Sequence, residues 1–364
     1  MTRVNIFYGS KKKFNEIIPE KYRTLTDVAY ESDKNSKQFY IVVEGENKKK
    51  TNEERTTIKN FVAGSDEYAG VSEHVIINFN NFIAKFEVEN MYLHNPPIQI
   101  SNQVERLNED VKINYQEYTQ LEVAHLQTIN NEYNNVIIGQ EDAKNELIQA
   151  LFPLTIEARE KPVVILFYGK SGVGKTETAK YISSILQEPL FRKQFSMYQN
   201  NQFATYLFGG AHYEKSFAKD MLDRESNVLL LDEFDKAHVS FHSAFYQLFD
   251  EGTYEDQNYN LDLQKSIIIC TSNYSSLSEI EKHLGSAIYN RFDKVIHFSD
   301  LSVESKAKIG EKEYIEISGN YNHFLNDDIK VRLEESYKYC DNVRQIRHLI
   351  EDTIALDIVS KAFI

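Results

Sequence analysis

The chain lacks most of what marks a secreted, membrane-embedded or nucleic-acid-coating protein. Its 364 residues include two cysteines, Cys270 and Cys340, too few for a disulfide framework; a reducing cytoplasm suits this usage. No apolar run approaches the roughly 20 residues that a membrane-crossing helix needs. The N-terminus, Met1-Thr2-Arg3-Val4-Asn5, has no apolar segment of signal-peptide type. An excess of positive charge is also missing: 41 Lys and Arg face 55 Asp and Glu, a net charge of −14. That balance argues against a broad phosphate-binding surface. Two local clusters, Lys11-Lys12-Lys13 and Lys48-Lys49-Lys50, read as solvated loops ahead of nucleic-acid or anionic-lipid sites. No internal repeat is apparent. The expectation is a soluble cytoplasmic protein without membrane or nucleic-acid partners.

What is present is an ordinary globular balance, 41% hydrophobic and 26% charged, in a chain long enough for two domains. Residues 1–95 read as a small α/β domain in which Val4–Tyr8, Phe39–Val43 and Val75–Phe79 have strand character. Pro96-Pro97 can continue neither a helix nor a central strand and marks an expected boundary. From Asn102 the pattern turns helical. Asn102 with Glu105 resembles a capping box, and Val104, Leu107, Val111, Tyr118 and Leu121 form a stripe. The stripe fits either a coiled coil or a helix packed on a neighbouring domain, and residues 96–133 are read as a helical connector.

The strongest signal follows. Val163–Tyr168 is a continuous apolar run, as expected of a strand buried on both faces of a parallel sheet. It leads into Gly169-Lys170-Ser171-Gly172-Val173-Gly174-Lys175-Thr176, a complete G-x-x-x-x-G-K-T loop, and then into a helical segment from Glu177. Glycines let successive backbone N–H groups face a polyphosphate, and the helix N-terminus adds a favourable dipole. Lys175 is placed for the β- and γ-phosphates and the Thr176 hydroxyl for Mg²⁺. A second buried run, Val228–Leu231, ends in Asp232-Glu233 at the strand edge where open α/β sheets place their chemistry. Asp232 is positioned to hold Mg²⁺ and Glu233 to activate water. A third run, Ser266–Asn273, ends in polar residues; Asn273 either orients that water or terminates a strand. Cys270 in this run reads as a core thiol.

Taken together, Val136-Ile137-Ile138-Gly139-Gln140, the phosphate loop, Leu230–His238, Phe249-Asp250-Glu251-Gly252, Thr271-Ser272-Asn273 and Asn290-Arg291-Phe292-Asp293 resemble the Clp family of AAA+ proteins, in order and spacing, over residues 134–364. The likeness is to the second ATPase module of ClpB and ClpA. It implies that Val136 and Ile137 cover the adenine and that Gly169, Ser171, Gly172, Val173, Gly174 and Glu177 join Lys175 and Thr176 around the nucleotide. It also makes Asn273 a phosphate sensor and Arg344, within Asn342–Arg347, a second one. Arg291 becomes a finger presented to a neighbouring subunit, so the active site would be completed only in an oligomer, a hexamer by analogy. Both arginines have a surface, ion-pairing alternative.

The resemblance departs where threading rings carry a pore loop. Leu207–Glu214 is shorter and has no Gly-Tyr-Val-Gly; Tyr213 is either a substitute gripping aromatic or an ordinary loop residue. His238 and His242 have i, i+4 spacing but no third ligand, which disfavours a metal site. In the last helix Val343, Ile346, Leu349, Ile350 and Ile354 read as lid core. The expected architecture is a P-loop AAA+ doubly wound parallel sheet (134–300) with a small C-terminal helical lid (301–364), preceded by a smaller α/β N-terminal domain. The expected activity is Mg²⁺-dependent ATP hydrolysis. It would serve protein remodelling with a client or adaptor bound by the N-terminal domain or, alternatively, a regulatory switch in a larger complex without threading.

Overall fold

The computed structural model describes residues 2–38, 55–156, 158–197, 202–321 and 328–362. The chain divides into two compact units. One comprises residues 1–118, 200–225 and 253–262; the other comprises 119–199, 226–252 and 263–364.

The first unit is built on five strands: β1 (Arg3–Tyr8), β2 (Arg23–Thr24), β3 (Thr57–Ala63), β4 (Glu87–His94) and β5 (Val111–Tyr115). They lie in the order β2-β3-β4-β1-β5, and every neighbouring pair is parallel. Ile6, Phe61, Leu93 and the helix residues Phe79 and Val104 are fully buried in one core. Two expectations change here. Val75–Phe79 is not a strand but the junction of helices Glu73–Ile77 and Phe79–Ile83. Its buried residues Ile76, Phe79, Phe82 and Ile83 recur at three and four, and that helical period overrides the β-branched composition. The connector is likewise not helical throughout. Its first helix, Ile98–Leu107, starts behind Pro97 with Asn102 in its interior. The polar Asn108-Glu109-Asp110 then releases the chain into β5, whose backbone pairs with β1. Val104 is buried while Leu107 is 72% exposed, so the stripe is not one face. Pro96-Pro97 therefore sits inside a unit rather than at its edge. The Phe39–Val43 and Lys48–Lys50 readings lie outside the described residues.

Lys11, Lys12 and Lys13 open a short helix capped by Ser10 and pair with Asp66, Glu225 and Glu16 at 2.8, 3.4 and 3.0 Å. Their charge is met by carboxylates of the same unit. The segment around Tyr213 is also part of this unit: His212 is buried and its Nε2 lies 3.0 Å from the Val71 carbonyl. The Asn258 amide donates to the Gly210 carbonyl, and the Asn258 carbonyl accepts from the Ile98 N–H.

The second unit holds β6 (Val163–Tyr168), β7 (Phe191–Gln194), β8 (Val228–Asp232), β9 (Ile267–Thr271) and β10 (Lys294–His297). They run parallel in the order β10-β6-β9-β8-β7. All residues of β6, β8 and β9 are buried, as the uninterrupted apolar runs require. Cys270 lies in β9 without exposure, and burial pushes its thiol well up. The lid is three helices, Val303–Ser318, Asp328–Ser336 and Val343–Ala362, around a core that includes Ile346, Ile350 and Ile354, with Val343 and Leu349 packed against it.

Within that lid Gly310 lies against the buried Tyr337 ring, and an added methyl would fall 2.4 Å from it. Alanine's helix propensity favours the substitution by about 1 kcal/mol, but overpacking a closed core costs roughly 1–3 kcal/mol. Gly310→Ala is expected to lower the thermal midpoint; an unchanged or raised midpoint would show that Tyr337 yields freely.

Candidate functional site

The carboxyl ends of β6, β8 and β9 open on a cleft of about 660 Å³ within the second unit, a size suited to a small organic ligand. The loop after β6 forms its floor. Gly169, Gly172 and Gly174 have φ of +133, +77 and +112°, values that side chains resist. At Gly169 a Cβ would also stand 2.3 Å from the Phe298 carbonyl oxygen, so only glycine permits this approach. The loop runs into the helix Lys175–Ile185, whose N-cap is Gly174.

Lys175 is buried, and burial pushes its ammonium down to about 8. Its Nζ donates to the Gly169 carbonyl, to the Lys170 carbonyl at 2.7 Å and to Asn273 Oδ1 at 3.1 Å. Asn273 thus meets the loop lysine across the sheet edge. Ser171, Gly172, Val173, Gly174, Thr176 and Glu177 also line the cleft; Glu177 is exposed and pairs with Lys180 at 2.7 Å. The lid closes one side. Arg344 donates to Ser171 Oγ at 2.9 Å, and the Val343 N–H donates to the Gly172 carbonyl at 3.1 Å. Val136, Ile137, Ile138, Leu301 and Ile309 supply apolar lining, a wall suited to a flat base.

At the end of β8, Asp232 and Glu233 both face the cleft. Thr271, ending β9, organises them: its hydroxyl donates to Asp232 Oδ1 and accepts the Glu233 N–H at 2.8 Å. Glu233 has φ +54°, a left-handed conformation that costs a non-glycine residue of order 1 kcal/mol and is held by its surroundings. Neighbouring β7 contributes Arg192 to Asp232 Oδ2 and Gln194 to Glu233 Oε2, the latter at 3.2 Å.

The residues present fit a nucleotide and its metal. The loop is a backbone cradle whose glycines admit no side chain, with a cation at its base. The Thr176 hydroxyl and the Asp232 carboxylate are hard oxygen donors of the type magnesium takes. The four side chains on which the sequence reading depends, Lys175, Thr176, Asp232 and Glu233, come together in one cleft. Arg291 does not join them. Its Nε donates to Asp250 Oδ2 at 2.8 Å, one terminal nitrogen donates to the Ala287 carbonyl at 2.6 Å, and the guanidinium lies 4.2 Å from the Tyr246 ring centre.

Sequence reasoning assigned no role to several residues. Gln140, buried, donates to the Val173 and Ser299 carbonyls at 3.1 and 2.9 Å and accepts the Ser299 N–H at 3.0 Å, so it pins the phosphate loop to the strand edge. Arg192 and Gln194 also went unread; their alternation on one strand face was the available signal. His242, considered as half of a metal pair, instead stacks on Phe234 with ring centres 4.8 Å apart.

With the geometry established, comparison with known proteins gives concordant likenesses. Residues 160–326 match the family model of the AAA domain (Cdc48 subfamily). The chaperone protein ClpB of Mycoplasma genitalium is 25% identical over 257 residues, 62% of this chain and 36% of that protein. The human mitochondrial disaggregase is 30% identical over 197 residues, 48% of this chain and 27% of that protein. Among solved structures, the S. cerevisiae Hsp104–ADP complex superposes with a TM-score of 0.51 at 22% identity, covering 65% of this chain and 49% of that one; this likeness concerns the fold. The chain thus spans only a quarter to a third or so of the curated relatives.

Gln140→Ala is expected to weaken ADP binding on the order of tenfold, since two or three hydrogen bonds of about 1 kcal/mol each restrain the loop. Calorimetric titration beside an unchanged circular dichroism spectrum checks this; unaltered affinity would remove Gln140 from the loop's support.

Proposed function

We propose that this protein, an AAA+ ATPase whose module resembles that of ClpB, couples Mg²⁺-dependent ATP hydrolysis to the remodelling of a protein partner within a homo-oligomeric ring. The observation that carries the reading is the gathering of Lys175, Thr176, Asp232, Glu233, Asn273 and Arg344 around one cleft. In this reading the loop amides and Lys175 bind the phosphates, and Arg344 senses them from the lid. Thr176 and Asp232 hold magnesium, which when bound offsets phosphate charge. Glu233 takes a proton from the attacking water, and Asn273 orients that water. Arg291, outside its own cleft, serves the next subunit; a planar cation suits the spread charge of a phosphoryl-transfer transition state. A client or adaptor would engage the N-terminal part of the chain.

One observation favours a second reading, a nucleotide-controlled switch without threading. The segment at the place of a pore loop is fastened inside the first unit through His212 and Gly210, which opposes the free movement that gripping a polypeptide needs. Oligomer mass with ATP, with ADP and without nucleotide separates the two: an assembly that changes with nucleotide and a rate indifferent to unfolded protein support the switch.

Glu233→Gln is expected to retain ATP binding and lose phosphate release by about 10²-fold or more. Arg291→Ala is expected to lose turnover as well. Mixing these two inactive variants should restore part of the rate, because an Arg291→Ala subunit keeps its own cleft and borrows the partner's arginine. No recovery on mixing, with both variants binding nucleotide, would overturn the shared site.

A further inference from the structure

Asp232 is almost enclosed, with 9% of its side chain exposed, and both its oxygens are taken. The Thr271 hydroxyl binds Oδ1. Arg192 binds Oδ2 through Nε at 3.0 Å and through a terminal nitrogen. The other cation of the cleft floor, Lys175, faces this carboxylate but gives its hydrogen bonds to Gly169, Lys170 and Asn273. Lys175 acts on Asp232 through its field, and Arg192 is the cation in direct contact with it. A buried carboxylate without a partner is strongly destabilising, and a two-pronged guanidinium contact is among the stronger ones available.

The strand that carries Arg192 fixes this geometry. In the β7–β8 register Arg192 lies opposite Leu230 and Gln194 opposite Asp232, and the strand period of two puts both side chains on one face. Arg192 itself lines the cleft and remains 44% exposed, so its guanidinium has room to move away from Asp232.

We propose that Arg192 is a built-in counter-cation that holds Oδ2 of Asp232 in competition with the metal accompanying the nucleotide. Arg192 thereby sets how much magnesium the site requires. The proposal rests on the reading of Asp232 as a metal-holding carboxylate. The two Arg192 bonds use both lone pairs of Oδ2, so a divalent cation, directly or through a bound water, gains that oxygen only as the Arg192 contact gives way. Arg192 is a positioning residue here: it neutralises and aims the carboxylate, and it raises the metal concentration needed to fill the site.

The test is a magnesium titration of binding of ADP carrying a fluorescent ribose tag, for the full chain and for Arg192→Met, Arg192→Lys and Asp232→Asn. The expected result for Arg192→Met is a magnesium midpoint lowered about 3- to 10-fold, with nucleotide affinity in EDTA unchanged. Arg192→Lys, which keeps the charge but loses the fork, should shift in the same direction by less, and it carries the test if the methionine variant does not fold. Asp232→Asn should weaken the response to magnesium. An unaltered midpoint in both Arg192 variants, beside an altered one in Asp232→Asn, overturns the counter-cation and leaves the metal reading intact. An unaltered Asp232→Asn overturns the metal reading itself. Loss of affinity in EDTA on removing Arg192 also overturns the proposal, because Arg192 would then be a direct phosphate contact.

Discussion

A strand covered on both faces has nowhere along its length to put a polar side chain, and this constraint arranges the second unit. β6, β8 and β9 are buried at every position, so their polar residues collect at the strand ends. Because all three run parallel, those ends share one edge. Lys175 follows one strand, Asp232 and Glu233 finish another, and Thr271 with Asn273 finishes the third. The hydrogen bonds that join them, Thr271 to both acidic residues and Asn273 to Lys175, follow from the sheet order as much as from the residues' own chemistry. The candidate site is the rim of a hydrophobic layer.

The same constraint explains which parts of the molecule could be read from sequence. Continuous apolar runs ending in Gly, Asp-Glu and Ser-Asn carry their meaning locally, and β6, β8 and β9 lie where those runs do. The lid helix was legible for a related reason: its stripe at three and four is the face that enters the core. Arg192 and Gln194 were not legible, because β7 is a half-exposed edge strand with no apolar signature and its partners lie some forty positions away. Gln140 is similar, since the carbonyls it holds come from distant loops. In the first unit, Val75–Phe79 misled because β-branched residues at its start outweighed a helical period completed only at Phe82 and Ile83.

Charge is handled locally as well. The chain is acidic overall, yet the lining of the cleft includes Lys175, Arg192 and Arg344. Each has a partner: loop carbonyls and an amide, a carboxylate, and a hydroxyl. A polyanion at such a site would meet Lys175 and Arg344 already held near it by neutral carbonyl, amide and hydroxyl partners, whereas Arg192 is held by the stronger contact to a carboxylate. The lysine run at residues 11–13 shows the opposite arrangement, with each cation answered by an exposed carboxylate; such pairs add little stability but leave no open field of positive charge.

The way the backbone passes between the two units has a consequence for taking the molecule apart. The chain crosses from one unit to the other after residues 118, 199, 225, 252 and 262. A cut near residue 95 or 118 would not free an N-terminal module. A cut at 118 would strip β1–β5 from two excursions of the same unit and leave His212 without the Val71 carbonyl and Asn258 without the Ile98 N–H. The two units alternate along the sequence, so no single cut separates one from the other.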